Sequence, residues 1–154
     1  MPAVAAGPRR AEPPAKMPEE QTQARRFSKV RHDRSAVLLE DYAELIADLL
    51  ATAGEARMVD IARRLGVSHA TAVKSIARLK RKGLVTARPY RGVFLTPEGQ
   101  ALAERVHARH RLVVELLLAL GVPREVAESD AEGIEHHVSD ITLKIFARFL
   151  YTRS

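Results

Sequence analysis

The chain has 154 residues, 46 % of them hydrophobic, and a net charge of +6 with a sequence pI near 10.1; that is enough apolar material for one domain or two small ones. There is no cysteine, which excludes a disulfide framework and every thiolate metal site, so any metal must be held by oxygen and nitrogen. No stretch has the length of a membrane span and the start lacks the pattern of a secretory leader, so a soluble cytoplasmic protein with no membrane partner is expected.

Residues 1–34 combine Pro13 and Pro14 with alternating small and charged residues and no sustained periodicity, the composition of a disordered basic extension. A helix is predicted from about Ser35 to Ala53, where Leu38, Tyr42, Leu45, Ile46 and Leu49 recur on one face, and Gly54 ends it. A short helix follows from about Met58 to Leu65, with Val59, Ala62 and Leu65 facing inward. After the turn Gly66-Val67-Ser68, Ser68 can cap a third helix, His69 to Lys82, whose buried stripe is Ala72, Val73, Ile76 and Leu79. Leu84-Val85-Thr86 and Val93-Phe94-Leu95 flank a loop with Pro89, Arg91 and Gly92, which reads as a β-hairpin.

Thr96-Pro97 suits an N-cap with proline at the first helical position. It opens a long helix to about Leu120. Its face of Leu102, Val106, Val113, Leu116, Leu117 and Leu120 is too extended for one small domain to cover, which points to a homodimer. Two further helices, about Pro123–His137 and Asp140–Tyr151, complete the chain. The expected fold is therefore mainly α with a small β-hairpin: a winged helix-turn-helix over 35–96, then a helical dimerisation domain over 97–154.

Charge is distributed to match. Residues 55–96 carry 10 Lys/Arg against 2 Asp/Glu, whereas 36–54 carry 4 acids and no base, and clustered bases are what phosphate neutralisation requires. In a helix-turn-helix the second helix enters the major groove with its N-terminal side chains at base edges, which assigns His69, Ala70, Thr71 and Lys74 to bases. Arg78 and Arg57 are assigned to the backbone of double-stranded DNA, and the wing-tip Arg91 to its minor groove or a phosphate. Read singly, Lys80-Arg81-Lys82 is also an ordinary solvated helix end; the ordered pattern around it is more specific.

Asp41 and Glu44 share a face of the first helix. Glu132, Glu135 and His136 stand at i, i+3 and i+4 farther along, and His107 and His110 form a third patch. A carboxylate pair at this spacing is most often surface, but carboxylate and imidazole three or four apart resembles the way helical bundles hold metals. His137, Asp48 and His107 read as solvent-facing rather than ligating.

The segments LLEDYAELI (38–46), VSHATAVKSIARLKRKGLV (67–85), YRGVFLTPEG (90–99) and DAEGIEHHVS (130–139) resemble the diphtheria toxin repressor family, and more narrowly its manganese transport regulator branch. The resemblance implies a metal-gated repressor of manganese uptake genes, active as a homodimer on a palindromic operator. It also implies the ligand set Asp41, Glu44, His110, Glu132, Glu135 and His136 for a binuclear Mn²⁺ centre. The iron-responsive branch carries a Met and a Cys among its ligands; hard oxygens and imidazole suit Mn²⁺, with Fe²⁺ left as an alternative because availability also sets occupancy. The rival readings are a binuclear metallohydrolase, since paired metals also activate water, and a DNA-binding regulator gated by iron or another ligand.

Overall fold

The structure, a computed structural model, describes residues 16–152. Among these residues the order is α1 (Glu20–Ala53), α2 (Met58–Leu65), α3 (His69–Arg81), β1 (Val85–Arg88), β2 (Gly92–Leu95), α4 (Pro97–Ala119), α5 (Arg124–Ile134) and α6 (Asp140–Tyr151). The caps act as their residue types dictate. Ser68, Thr96 and Ser139 each accept a hydrogen bond from the backbone N–H three residues on, and Pro97 opens α4, where its missing N–H would have had no helical partner.

Two hydrophobic clusters organise the chain. In the first, Tyr42, Ile46 and Leu49 of α1 pack with Ile61 of α2, Ile76 and Leu79 of α3, and Val85 and Val93 of the hairpin. This is the core of a winged helix, with the antiparallel hairpin registered Val85 opposite Leu95 and Arg88 opposite Gly92. The second joins Val113 and Val114 of α4 to Ala131 of α5 and Leu143 of α6. Helix α1 packs along α4 and so touches both halves.

Two glycines fix how these parts meet. Gly92 has φ +84°, and a Cβ there would lie 2.6 Å from the Ala56 carbonyl oxygen; Val93 N–H donates to that same oxygen at 2.9 Å, tying the wing to the α1–α2 loop. At Gly99 a Cβ would come within 2.0 Å of the Leu84 carbonyl oxygen, so only glycine lets α4 begin flush against the start of the hairpin.

The structure departs from the expectations in four helices. Helix α1 begins at Glu20, so residues 20–34 are helical rather than a disordered extension, while residues 1–15 of that extension lie outside the described residues. No Gly or Pro interrupts 20–53, and Lys29 pairs with Asp33 one turn on at 2.7 Å, so the helix propagates without an apolar face to announce it. In α2 Ala62 is buried as expected, but Ile61 is buried with it and Val59 is exposed. In α3 Ser75 is buried while Val73 is exposed. Each of these helices is short enough that a rotation of about 100° per residue decides which apolar side chain meets the core. Finally, α5 stops at Ile134, leaving Glu135, His136 and His137 in the turn that follows.

Candidate metal centre and DNA-binding face

The three sequence patches converge where α1 crosses the helical domain. His136 Nε2 lies 3.1 Å from Asp41 Oδ1 and 3.4 Å from Glu135 Oε1. His110 on α4 places Nδ1 2.7 Å from Glu135 Oε2 and 3.6 Å from Glu132 Oε1. A cleft of about 490 Å³ opens beside them, lined in part by Asp41, Glu44, Glu132 and His136. Asp41, Glu44, Glu132 and His136 thus line one cleft, and Glu135 links His136 to His110, which does not line it.

Glu135 is completely buried, although a carboxylate is among the groups least often found inside a protein. Neither its Oε1 nor Nε2 of the buried His136 makes a well-formed hydrogen bond, although Asp41 Oδ1 lies 3.1 Å from that nitrogen. Unsatisfied buried polar atoms are costly and call for a cause. Two such atoms 3.4 Å apart, one an oxygen and one an imidazole nitrogen, with three further carboxylates at hand, fit a divalent cation of the hard or borderline kind.

Protonation tells the same story. Burial raises the Glu135 pKa, and the charges of Glu132 and Glu44 reinforce it against the attraction of His110, so that it reaches about 7. Burial works against an imidazolium at His136, yet the carboxylates of Asp41 and Glu40 at its two nitrogens prevail and lift it to about 10. Glu44 is also raised, by burial and then by the neighbouring Glu132 charge. His110 is raised in spite of its burial, through Glu128 and Glu135. Protons here partly neutralise a crowd of carboxylates, which a bound cation would do more completely.

In the first domain, α3 presents His69, Ala70, Thr71 and Lys74 to solvent. They follow the Ser68 cap, whose Oγ accepts from Thr71 N–H at 3.1 Å. Arg57 is exposed and pairs with Glu55 at 3.0 Å. Arg91 is exposed at the wing tip, in a turn where Arg91 N–H donates to the Arg88 carbonyl and Tyr90 takes φ +62°. Arg78 is half-buried and donates to Ser35 Oγ, so part of its guanidinium serves the α1–α3 contact.

Residues 38–93 match the family profile "Iron dependent repressor, N-terminal DNA binding domain", and 96–152 match "Iron dependent repressor, metal binding and dimerisation domain". A relative described as "Transcriptional regulator MntR" from Salmonella typhimurium is 51 % identical over 123 residues, covering 80 % of this chain and 78 % of its own. The chain belongs to the iron-dependent repressor family, in its MntR branch. A second relative, "HTH-type transcriptional regulator MntR" from Lysinibacillus sphaericus, is 41 % identical over 66 % of this chain and 73 % of its own. Among solved structures, "Structure of the manganese regulator SloR" superposes with a TM-score of 0.65 at 30 % identity, over 73 % of this chain and 53 % of that one. "Manganese-dependent transcriptional repressor complex with manganese" gives 0.62 at 33 % identity, over 73 % and 52 %. The chain thus spans about half the length of these solved structures. It is a DNA-binding transcriptional regulator with a metal-binding and dimerisation domain, not an enzyme, which sets the metallohydrolase reading aside.

The regulator's site includes groups that sequence reasoning passed over. Glu40 accepts from His136 Nδ1 at 2.6 Å and from Arg109 Nη2, so it orients the imidazole and is itself held below its ordinary carboxylate range, burial notwithstanding, by His136 and Arg109. Glu128 stands 2.9 Å from His110 Nε2. Asp48, exposed as expected, lies 3.0 Å from His107, which is half-buried rather than in solvent and stands 3.5 Å from Glu44. Glu128 stands one turn before Glu132 on α5, which was a readable signal; Glu40 had none, because its partners are 69 and 96 residues away.

Proposed function

We propose that this protein represses manganese uptake genes by binding a palindromic operator as a cytoplasmic homodimer when Mn²⁺ occupies a binuclear centre built from Asp41, Glu44, His110, Glu132, Glu135 and His136. The observation that carries the reading is the pair of buried atoms without a well-formed hydrogen bond, Glu135 Oε1 and His136 Nε2, at the seam where Asp41 and Glu44 of α1 face the helical domain. A divalent cation bound there supplies positive charge that carboxylates from both halves of the chain share.

What the chain's own groups do follows from their placement. Asp41 and Glu44 belong to the same helix that packs against α2, α3 and the hairpin, so any pull on them is a pull on the DNA-reading face. Without added positive charge the carboxylates of Glu44, Glu132 and Glu135 repel across the seam. The protons on His136 and Glu135 relieve only part of that repulsion. Closing the seam fixes α1, and with it the recognition helix, relative to the dimerisation surface and hence to the partner's recognition helix. Gating is then a population shift, and linkage requires operator DNA to tighten metal binding by the same factor.

The manganese named in the relatives' descriptions agrees with the donor set, which has no sulfur. The test is a DNA-binding titration against Mn²⁺, Fe²⁺, Co²⁺ and Zn²⁺ with a chelated control. Mn²⁺-dependent tightening supports the reading, and equal affinity in chelator and in saturating Mn²⁺ refutes it.

A further inference from the structure

The unexpected N-terminal half of α1 has a surface of its own. Helix α1 has 34 residues, about 50 Å at 1.5 Å per residue, yet its buried residues begin only at Tyr42. Residues 24–32 are exposed throughout. From Gln21 to Ser35 there are five bases, Arg25, Arg26, Lys29, Arg31 and Arg34, and one acid, Asp33.

These charges are sorted by face. Ser35 accepts from Arg78 of α3, and a hollow between the two helices is lined by His32, Ser35, Ala36, Leu39, Arg78 and Lys82; this fixes which side of α1 faces α3. At about 100° per residue, His32, Ser28 and Arg25 stay within about 80° of Ser35 around the helix, and Arg31 within about 40°. Asp33 falls on the opposite side, where Lys29 holds it and His137 lies 4.0 Å away. The acid therefore turns toward the helical domain, while Arg25 and Arg31 continue the basic C-terminal end of α3, Arg78, Lys80, Arg81 and Lys82, past the limit of the winged helix.

We propose that residues 21–34 of α1 form a DNA-backbone arm, in which Arg25 and Arg31 neutralise phosphates beyond the segment read by α3. The occupant is duplex DNA rather than another protein because the surface is continuous with the basic end of α3 and its α3-facing side carries no acid over Gln21–Ser35. The arm adds affinity and footprint without sequence preference, since phosphate contacts position but do not specify. The inference rests on the winged helix binding DNA and is separable from metal gating.

The test uses the full chain loaded with Mn²⁺, a duplex selected with it from a random-sequence library, and an unselected duplex of equal length. The double variant Arg25→Ala/Arg31→Ala is expected to bind both duplexes more weakly at 50 mM salt, with a slope of log affinity on log salt shallower by ~2, about 0.9 for each phosphate no longer neutralised. Its Mn²⁺ response and helical circular dichroism should match the parent. Arg25→Lys/Arg31→Lys should restore the slope, and Arg26→Ala, on the far face, should leave it unchanged. An unchanged slope in the alanine variant overturns the proposal, as does an unchanged slope with weakened self-association, which would assign the arm to a second copy of the chain. If the parent protein binds neither duplex, the DNA-binding premise has failed instead.

Discussion

Glu135 is the residue on which the metal-gating reading can be tested most sharply, because the same burial that makes it a good ligand makes it a liability in the metal-free protein. In the unfolded chain its carboxyl titrates near 4.5, and in the fold near 7. Below pH 4.5 it is protonated in both states and costs nothing. Between 4.5 and 7 the unfolded chain releases the proton while the fold retains it, so stability falls as pH rises, and above 7 the penalty is complete. That difference corresponds to ~3 kcal/mol at about 1.4 kcal/mol per pH unit.

Glu135→Gln removes the titration and keeps the shape. The amide still leaves an imperfectly paired buried polar atom, costing about 1 kcal/mol, so the net gain for the metal-free variant at pH 8 is ~2 kcal/mol. For a chain of this size that is a rise in Tm of roughly 4–8 °C at pH 8, falling to nothing at about pH 5 and turning into a deficit of about 1 kcal/mol once the parent carboxyl is protonated in both states. Added Mn²⁺ should reverse the ranking: the parent gains about 2.7 kcal/mol at a hundredfold excess over Kd, and the variant, short of a ligand, gains little. Thermal unfolding at one protomer concentration, with chelator and with Mn²⁺, at pH 5 and pH 8, gives all four values. A metal-free variant no more stable than the parent at pH 8, or one that keeps the full Mn²⁺ gain, would refute the assignment of Glu135 as a buried ligand held at a cost.

Further outcomes are expected elsewhere. Because His136 titrates near 10 and Glu135 near 7, Mn²⁺ binding at pH 7.5 should release protons and tighten as pH rises, checked by calorimetry in buffers of different ionisation enthalpy; binding without proton release would count against His136 as a ligand. Glu40→Gln should weaken Mn²⁺ binding about 10–100-fold, the usual cost of losing the group that orients a ligating histidine, while DNA affinity at saturating metal is retained. Gly99→Ala should destabilise the fold by ~3 kcal/mol, since its Cβ would collide with the Leu84 carbonyl oxygen, and chemical denaturation measures this directly. Lys74→Ala should relax sequence preference, whereas Arg91→Ala should weaken all duplexes alike and lower the salt slope by ~1; a uniform loss from both would leave Lys74 without a base-reading role.

Local chemistry announced much of this protein. The caps Ser68, Thr96 and Ser139, the Pro97 start, the hairpin about Pro89 to Gly92 and the long α4 all stand where their residues predict, because each depends on neighbours a few positions away. The faces of α2 and α3 were only partly legible: Ala62, Ala72, Ile76 and Leu79 are buried as periodicity predicts, but Val59 and Val73 are exposed and Ile61 is buried, which only packing against α1 and the hairpin decides. The N-terminal half of α1 was hidden because a helix that buries nothing shows no hydrophobic period.

For the site the division runs along the same line. Spacing by itself put Asp41 with Glu44, and Glu132 with Glu135 and His136, since residues three and four apart share a helix face. That Asp41, Glu44, Glu132 and His136 line one cleft, that Glu135 is wholly buried between His136 and His110, and that Glu40 and Arg109 steady His136 were decided by the crossing of α1 over α4 and the turn after α5. Sequence periodicity reports what lies on one side of one helix. Which helix comes to face it, and therefore whether a row of carboxylates is a solvated surface or the wall of a shared cleft, is settled only when the two hydrophobic clusters pack.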